Sequence, residues 1–317
     1  VSVPGHDYNP LLGFWYDYHQ HRFQEQTMKI AVTGAQGLLG EECVRTLGVE
    51  HEMIPLPPHG DLDLVNFHAT RDWFLAHKPD VIIHTAANRD PDSCELNPDL
   101  AWTSNTLVTW NVVNAARELG AVLVHASSDS VFPGDRDLPY HEFDEARDPI
   151  NLYGRTKLAS ERLVQQYIPR HFNLRMPLLF GRTGGPARNN LLKLRTAALA
   201  GKKTVAAGDA ISSACSVRDI ARSLAVMLKT PFYGTYHFAN SGQCSRASYL
   251  QTFLKIIGMD PEMVTVSTVE AINRPARRGR NIFLQSRLLE PVFSITLQSI
   301  DEALAETTAE LKEDGLF

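Results

Sequence analysis

Lys29-Ile30-Ala31-Val32-Thr33-Gly34-Ala35-Gln36-Gly37-Leu38-Leu39-Gly40 sets three glycines directly after a short apolar run, at the head of a segment with helical spacing. The order reads as strand, tight turn, helix. Gly34 permits the turn, Gly37 lets backbone approach an anion, and Gly40 lets the helix pack close to the strand. The first turn of such a helix presents N–H groups without intrahelical partners and a partial positive charge, which together suit a phosphate. The spacing is GxxGxxG rather than GxGxxG, a variant of the dinucleotide loop. Gly34, Gln36, Gly37, Leu38 and Leu39 are therefore the candidate pyrophosphate contacts.

Outward from this loop the alternation continues. Residues 29–33, 51–54, 81–84, 122–126 and 173–176 read as short buried strands, and 38–47, 101–119 and 153–167 as helices without internal proline. Strands alternating with helices predict an α/β fold, a Rossmann-type doubly wound parallel sheet. After Phe180 the pattern becomes less regular, and the glycine-rich loop 181–186 is where the chain is expected to leave the sheet. The expected division is residues 28–180 as an NAD(P)-binding domain and 181–317 as mainly a smaller, C-terminal substrate-binding lobe. A short strand at 235–238 implies a return to the sheet near 234–240.

An acidic residue is expected about 20 residues past the glycines to hold the ribose 2′-hydroxyl of NAD. Pro55-Leu56-Pro57-Pro58-His59 stands there instead, with neither an acid nor an arginine for a 2′-phosphate. The missing acid tilts the cofactor toward NADP, with NAD as the other choice. Asp63 and Leu64 come slightly later and are candidates for the adenine side, with capping of the next helix as the alternative role for Asp63.

Tyr153-Gly154-Arg155-Thr156-Lys157 puts a tyrosine and a lysine four apart, on one helix face. A phenol titrates near 10, and a neighbouring ammonium would stabilise its phenolate, which makes Lys157 the expected partner of Tyr153 in proton transfer. Upstream, Val122-Leu123-Val124-His125-Ala126-Ser127-Ser128-Asp129-Ser130 is an apolar strand ending in hydroxyls, where strands of such sheets line the ligand crevice. A serine there can polarise a carbonyl by hydrogen bonding to its oxygen. Ser128 is the choice, with Ser127 and Ser130 as competitors.

With these motifs in hand, the sequence resembles the extended short-chain dehydrogenase/reductase family, in the branch of the dTDP-4-dehydrorhamnose reductases. The marks are Val32-Thr33-Gly34 with the two following glycines, Asp80-Val81-Ile82-Ile83-His84-Thr85-Ala86-Ala87, Ser127-Ser128-Asp129, and Asn151-Leu152-Tyr153-Gly154 with Lys157. The resemblance runs from Met28 to about Leu288. It implies NAD(P)H-dependent reduction of a nucleotide-linked sugar ketone by Ser128, Tyr153 and Lys157, with Ala86 and Ala87 lining the cofactor and Asn105 as a further contact. The pattern departs on the sugar side, where Ser130 replaces a tyrosine and Leu178 lies where the rhamnose enzymes tend to carry a tryptophan. Arg89 is a candidate substrate contact in the loop after the third strand. Arg278 is another, in Arg274-Pro275-Ala276-Arg277-Arg278-Gly279-Arg280, where a nucleotide diphosphate would fit and a solvated basic loop is the alternative. An epimerase or dehydrogenase of the same superfamily is a second reading. A third is a non-catalytic subunit, since Arg89-Asp90-Pro91-Asp92 and Arg175-Met176-Pro177 also resemble the regulatory beta subunit of methionine adenosyltransferase.

The remaining composition mostly excludes. A net charge of −5 with 21% charged residues argues against nucleic acid as partner. No apolar run reaches the roughly 18 residues of a membrane-spanning helix. Cys43, Cys94, Cys215 and Cys244 are widely spaced, suiting a reducing cytoplasm and giving no metal site. Residues 1–27 lack the pattern of a secretory signal and read as a native extension, a mistaken start or a cloning remnant. Within them His19 and His21 lack a third metal ligand. A nucleotide sugar is the expected partner, and a homodimer the candidate assembly.

Overall fold

Short runs of buried apolar residues, each followed by a helix that carries the chain back, can pair only in parallel. The computed structural model describes residues 27–317, so the expectations concerning His19 and His21 lie outside the described residues. The strands are β1 Lys29–Thr33, β2 Glu52–Pro55, β3 Val81–His84, β4 Val122–Ala126, β5 His171–Arg175, β6 Leu178–Phe180, β7 Thr204–Ala207, β8 Ile211–Ser212, β9 Ala214–Ser216, β10 Gly234–His237, β11 Cys244–Ser245, β12 Val264–Ser267 and β13 Asn281–Ile282. The principal helices are α1 Leu38–Leu47, α2 Phe67–His77, α3 Pro91–Leu96, α4 Val108–Leu119, α5 Leu152–Tyr167, α6 Val217–Met227, α7 Arg246–Ile256 and α8 Ile300–Glu313.

Six strands form a parallel sheet in the order β10-β5-β4-β3-β1-β2. The chain reverses its direction of winding between β1 and β3, and the crevice beyond the carboxyl ends of these strands is where open α/β sheets bind ligands. Alternate side chains of β1 face opposite layers. Ile30 and Val32 join a core with Leu39, Cys43 and Leu47 of α1 and Ile220, Leu224 and Met227 of α6. Ala31 joins Phe74 of α2, Val112 and Ala116 of α4 and Val164 of α5. Each large apolar side chain fully buried in these layers contributes about 1.5–3 kcal/mol.

A further core lies beyond the sheet, where Leu191 and Leu194 meet Phe253 and Leu254 of α7 and Leu304 of α8. Between the two cores the chain crosses back earlier than the sequence reading had it. Helix α6 already packs on α1, ahead of β10, so the return begins at Val217.

The expected helix 101–119 is three pieces: Pro98–Ala101, a π-helical turn Trp102–Leu107, and α4. Asn105 is buried within the π segment, and its backbone carbonyl accepts the hydroxyls of Thr109 (2.6 Å) and Ser160 (3.1 Å). The second and fifth strands differ from expectation by one to two residues at their ends. Pro55, at the end of edge strand β2, withdraws no ladder hydrogen bond that the sheet needs.

Candidate active site

Gly34 holds φ at 66°, and a Cβ there would stand 2.8 Å from Thr85 Oγ1 and 2.9 Å from the Ala86 nitrogen. A Cβ on Gly40 would stand 2.3 Å from the Gly34 carbonyl oxygen. These contacts require glycine and bring the start of α1 against the ends of β1 and β3. Gly37 caps α1 without any side-chain acceptor, so the first-turn N–H groups are uncapped where they meet the cleft. That arrangement fits the pyrophosphate of a dinucleotide.

The cleft has a volume of about 1370 Å³. A single small-molecule site occupies roughly 300–1,000 Å³, so there is room for two ligands. The cleft is lined by Gly34, Gln36, Gly37, Leu38 and Leu39, by Asp63 and Leu64 beyond β2, and by Ala86 and Ala87 after β3. Ser128, Ser130, Tyr153 and Lys157 line it too, and Arg89, Leu178 and Arg278 also reach it. Asp63 does not cap α2. That role falls to Asn66, whose side chain accepts from the Ala69 nitrogen, while Asp63 Oδ1 accepts from the Val65 nitrogen.

Asn105 is a correction. It does not line the cleft but stands behind its wall, accepting from the Asn88 nitrogen (2.7 Å) and donating to the Asn88 carbonyl (3.1 Å) and Thr156 Oγ1 (3.0 Å). It ties the loop after Ala87 to α5, and its amide has nothing left for a ligand.

Thr33, His84, His125 and Asn173 fall in one register row across β1, β3, β4 and β5, and so share a sheet face. Thr33 Oγ1 accepts from the nitrogens of Thr85 and Ala86, and its own proton goes to His84 Nδ1 at 2.8 Å. His84 Nε2 therefore carries the ring proton and donates to Thr109 Oγ1 (3.1 Å), whose proton goes to the Asn105 carbonyl. The chain of bonds requires a neutral ring, and burial, aided by the positive Lys157, pushes the pKa of His84 down to about 3.

The neighbouring ring follows the same logic. His125 Nδ1 meets Asn173 Oδ1 at 3.0 Å, which leaves the Nε2 lone pair toward Lys157 Nζ at 3.4 Å. Burial lowers Lys157 to about 8, against the opposing pull of Glu161. Glu161 itself is buried in a bidentate pair with Arg175 and accepts the Ser127 hydroxyl.

That last bond decides among the serines. The single proton of Ser127 goes to Glu161, a carboxylate already fixed in the buried pair with Arg175. Ser128 and Ser130 remain, both donating to Asp129 Oδ1 at 2.9 and 3.1 Å. Of the two, Ser128 is the one near enough to Tyr153 to oppose the rise of its pKa. Burial raises Asp129 to about 6, partly offset by those hydroxyls. Burial likewise raises Tyr153 to about 12, opposed by Ser128 and reinforced by Asp129. Desolvation outweighs the Ser128 hydroxyl, while Lys157 Nζ rests 3.4 Å from His125 Nε2. The result is a phenol that keeps its proton at neutral pH.

On the far side, Arg89 donates to the Arg188 carbonyl (3.0 Å). In the basic loop Arg274 and Arg278 both bond to Asp92, at 2.9 and 3.0 Å, while Arg274, Arg277 and Arg280 stay exposed. Arg188, Lys193 and Arg246 also reach the cleft, and sequence reasoning missed all three because no motif surrounds them. Among the described residues no group of three potential ligands could hold a metal ion, and no helix is long and apolar enough to cross a membrane. All four cysteines are free.

Comparison with known proteins agrees with this geometry. The chain is similar to dTDP-4-dehydrorhamnose reductase of Streptomyces griseus, at 32% identity over 81% of this chain and 85% of that protein. It is similar to a probable dTDP-4,6-dihydroxy-2-methyloxan-3-one 4-ketoreductase of Streptomyces antibioticus, at 32% identity over 79% of this chain and 84% of that one. The structure of dTDP-4-dehydrorhamnose reductase from Bacillus anthracis in complex with NADP superimposes with a TM-score of 0.84, at 29% identity, covering 90% of this chain and all (100%) of that one. The model of the RmlD substrate binding domain matches residues 28–313. That match runs from just before β1 to the last residue of α8 and leaves no element of the fold outside it: the chain belongs to the RmlD substrate binding domain family.

Proposed function

We propose that the protein is an NAD(P)H-dependent reductase of a nucleotide-linked 4-keto-6-deoxy sugar. The observation that carries this reading is the grouping of Ser128, Tyr153 and Lys157 on one cleft that has room for two ligands and meets an uncapped helix N-terminus. Residues 28–180 would hold the dinucleotide, and the segment beyond 180 mainly the nucleotide sugar.

A bound dihydronicotinamide supplies the hydride. Gly34, Gln36, Gly37, Leu38 and Leu39 would hold its pyrophosphate, and Ala86 and Ala87 would border it. Ser128 holds the ketone oxygen and Tyr153 gives that oxygen its proton as the carbonyl carbon is reduced. Lys157 keeps positive charge beside the developing phenolate. Arg89, Ser130, Leu178 and Arg278 border the sugar nucleotide. NADP is the favoured cofactor, since no acid follows β2 in the place where NAD would be held. The cytoplasm is the inferred compartment and a homodimer the inferred assembly.

Both relatives at 32% identity carry the names of ketoreductases, which favours this reading over a regulatory subunit. The test is oxidation of NADPH and NADH, followed by nicotinamide absorbance, with a panel of nucleotide 4-keto-6-deoxy sugars. Turnover lost in Tyr153→Phe supports the reading. Cofactor binding without turnover across the panel counts against it.

A further inference from the structure

Residues 274–285 run along the cleft as a strap whose two ends are held in different ways. The later end is held by backbone. Asn281 N donates to the Gly134 carbonyl (3.3 Å), Tyr140 N to the Phe283 carbonyl (2.8 Å) and Gln285 N to the Tyr140 carbonyl (2.8 Å), so this end is joined to the loop that follows Ser128 and Ser130. The earlier end is held by one side chain. Asp92 Oδ2 accepts from Arg274 Nη1 (2.9 Å), and Asp92 Oδ1 accepts from the Ala276 nitrogen (3.1 Å) and Arg278 Nη2 (3.0 Å). Among the described residues no other carboxylate bonds to residues 274–280.

This grip lies beside the catalytic tyrosine. One turn along α3 from Asp92, Glu95 Oε2 accepts from the Leu152 nitrogen (2.9 Å) at the start of α5. Asn151 caps α5 by accepting from the Gly154 nitrogen (2.9 Å), and its own amide donates to the Arg277 carbonyl of the strap (2.9 Å). Tyr153 stands between Leu152 and Gly154. The N–H groups of a first helical turn have no intrahelical partners, so that turn takes its position from whatever binds them. Here α3 holds both the strap and the start of α5, and Asn151 ties these two to each other. Asp90 and Pro91 line the cleft, but Asp92 does not, so its carboxylate acts on the strap and not on a ligand.

We propose that Asp92 is a positioning residue: by fastening residues 274–278 to α3 it holds the first turn of α5, and with it the Tyr153 phenol, in line with the sugar ketone. The proposal rests on the reductase reading and adds a residue that neither the sequence motifs nor the family match assigns. Loss of the carboxylate is felt in the catalytic step, since a reacting group displaced by about 1 Å can cost about 100-fold in rate. Dinucleotide binding is spared, because the glycine cradle at the head of α1 takes no part in these bonds.

The experiment compares the full chain as wild type, Asp92→Asn and Asp92→Glu. Three quantities are measured: steady-state rates with nucleotide 4-keto-6-deoxy sugars, NADPH affinity from nicotinamide fluorescence, and amide hydrogen exchange of the ligand-free protein. Asparagine keeps the shape and one acceptor but removes the charge that holds two guanidinium groups. In Asp92→Asn, exchange at 274–280 should quicken by about 10-fold or more and kcat should fall by about 10-fold or more, with NADPH affinity unchanged. Asp92→Glu restores the charge and should recover part of both. Wild-type kcat in Asp92→Asn overturns the proposal, and so does unchanged exchange, which would mean that the carboxylate does not fasten the strap. A parallel fall in NADPH affinity, or faster exchange throughout the chain, overturns it too by marking a general structural role. If Asp92→Asn does not fold, Arg274→Gln removes one of the three bonds from an exposed side chain, and unchanged exchange at 276–280 then overturns the fastening. Wild type that binds NADPH but reduces none of the sugars overturns the reductase reading instead, and the exchange measurement still decides the fastening.

Discussion

Lys157 Nζ lies 3.4 Å from His125 Nε2, and the His125 ring is oriented by Asn173 on the next strand. The lysine is thus held from below by a neutral acceptor. His125 cannot carry charge to do this, since burial and Lys157 hold its pKa well below the ordinary value. Replacing His125 by Phe keeps the bulk and removes the acceptor. The expected outcome is a fall in kcat of about 10-fold or more, with a smaller change in KM, because the group lost positions the lysine and touches no substrate. His125→Asn should recover part of the rate. A Phe variant with wild-type kcat would mean that Lys157 needs no support.

The pH profile should carry the mark of Lys157. Its pKa is lowered to about 8, whereas Tyr153 stands at about 12, so the ammonium is lost first as pH rises. In the free enzyme kcat/KM is expected to fall above about pH 8 and not to wait for the phenol. Initial rates across the alkaline range decide the matter. A limb near the ordinary lysine value, about 10.4, would show that the pocket does not desolvate Lys157.

Acid should unfold the protein through its buried histidines. His84, His125 and His237 are buried neutral, with pKa values below the ordinary 6.5. Below that value the unfolded chain binds protons that the folded chain refuses. The stability from their neutrality is therefore fully present above about pH 6.5 and is lost as pH falls toward their folded values. With up to three protons in play, the slope near pH 5 reaches about 4 kcal/mol per pH unit. Urea midpoints measured from about pH 7 to 4.5 give the number, and a flat profile would refute the assignment.

How much of this was legible in the sequence depended on the distance over which each feature is decided. The glycine turn and the Tyr153–Lys157 pair are set by neighbours within one turn, so spacing alone located them. Choosing among Ser127, Ser128 and Ser130 was another matter, because Glu161 on α5 takes the Ser127 proton. The commitment of the Asn105 amide depends on Asn88 and Thr156, and the state of Arg278 on Asp92, which is 186 residues away.

Gly34→Ala tests the cradle directly. At φ of 66° a methyl group is strained, and here it would also meet Thr85 Oγ1 and the Ala86 backbone. Relief requires β1 and β3 to separate at their ends, so a loss of about 1–3 kcal/mol in stability is expected together with weakened NADPH binding. Gly185 provides the control: it also has positive φ (58°) but open space around its missing Cβ, so Gly185→Ala should lose less stability. Equal losses at the two sites would show that close approach at Gly34 has no role.

Asn105→Ala separates support of the cleft from contact with its contents. The substitution leaves the N–H of Asn88 without its partner and its C=O with only the Cys94 thiol, and it frees Thr156 Oγ1. Buried groups stranded in this way cost about 1–3 kcal/mol each, although water entering from the nearby cleft would recover part of that. A net loss of about 2–4 kcal/mol in urea unfolding is expected. Because the loop from Ala87 to Arg89 is then untethered from α5, NADPH affinity should fall as well, and it should fall for NADH by the same factor. A direct ligand of the cofactor would predict weakened binding at unchanged stability, and that result would return Asn105 to the cleft wall. Loss of stability with an equal effect on both cofactors would place its role in the tether, where the π turn and the register row of Thr33, His84 and His125 converge.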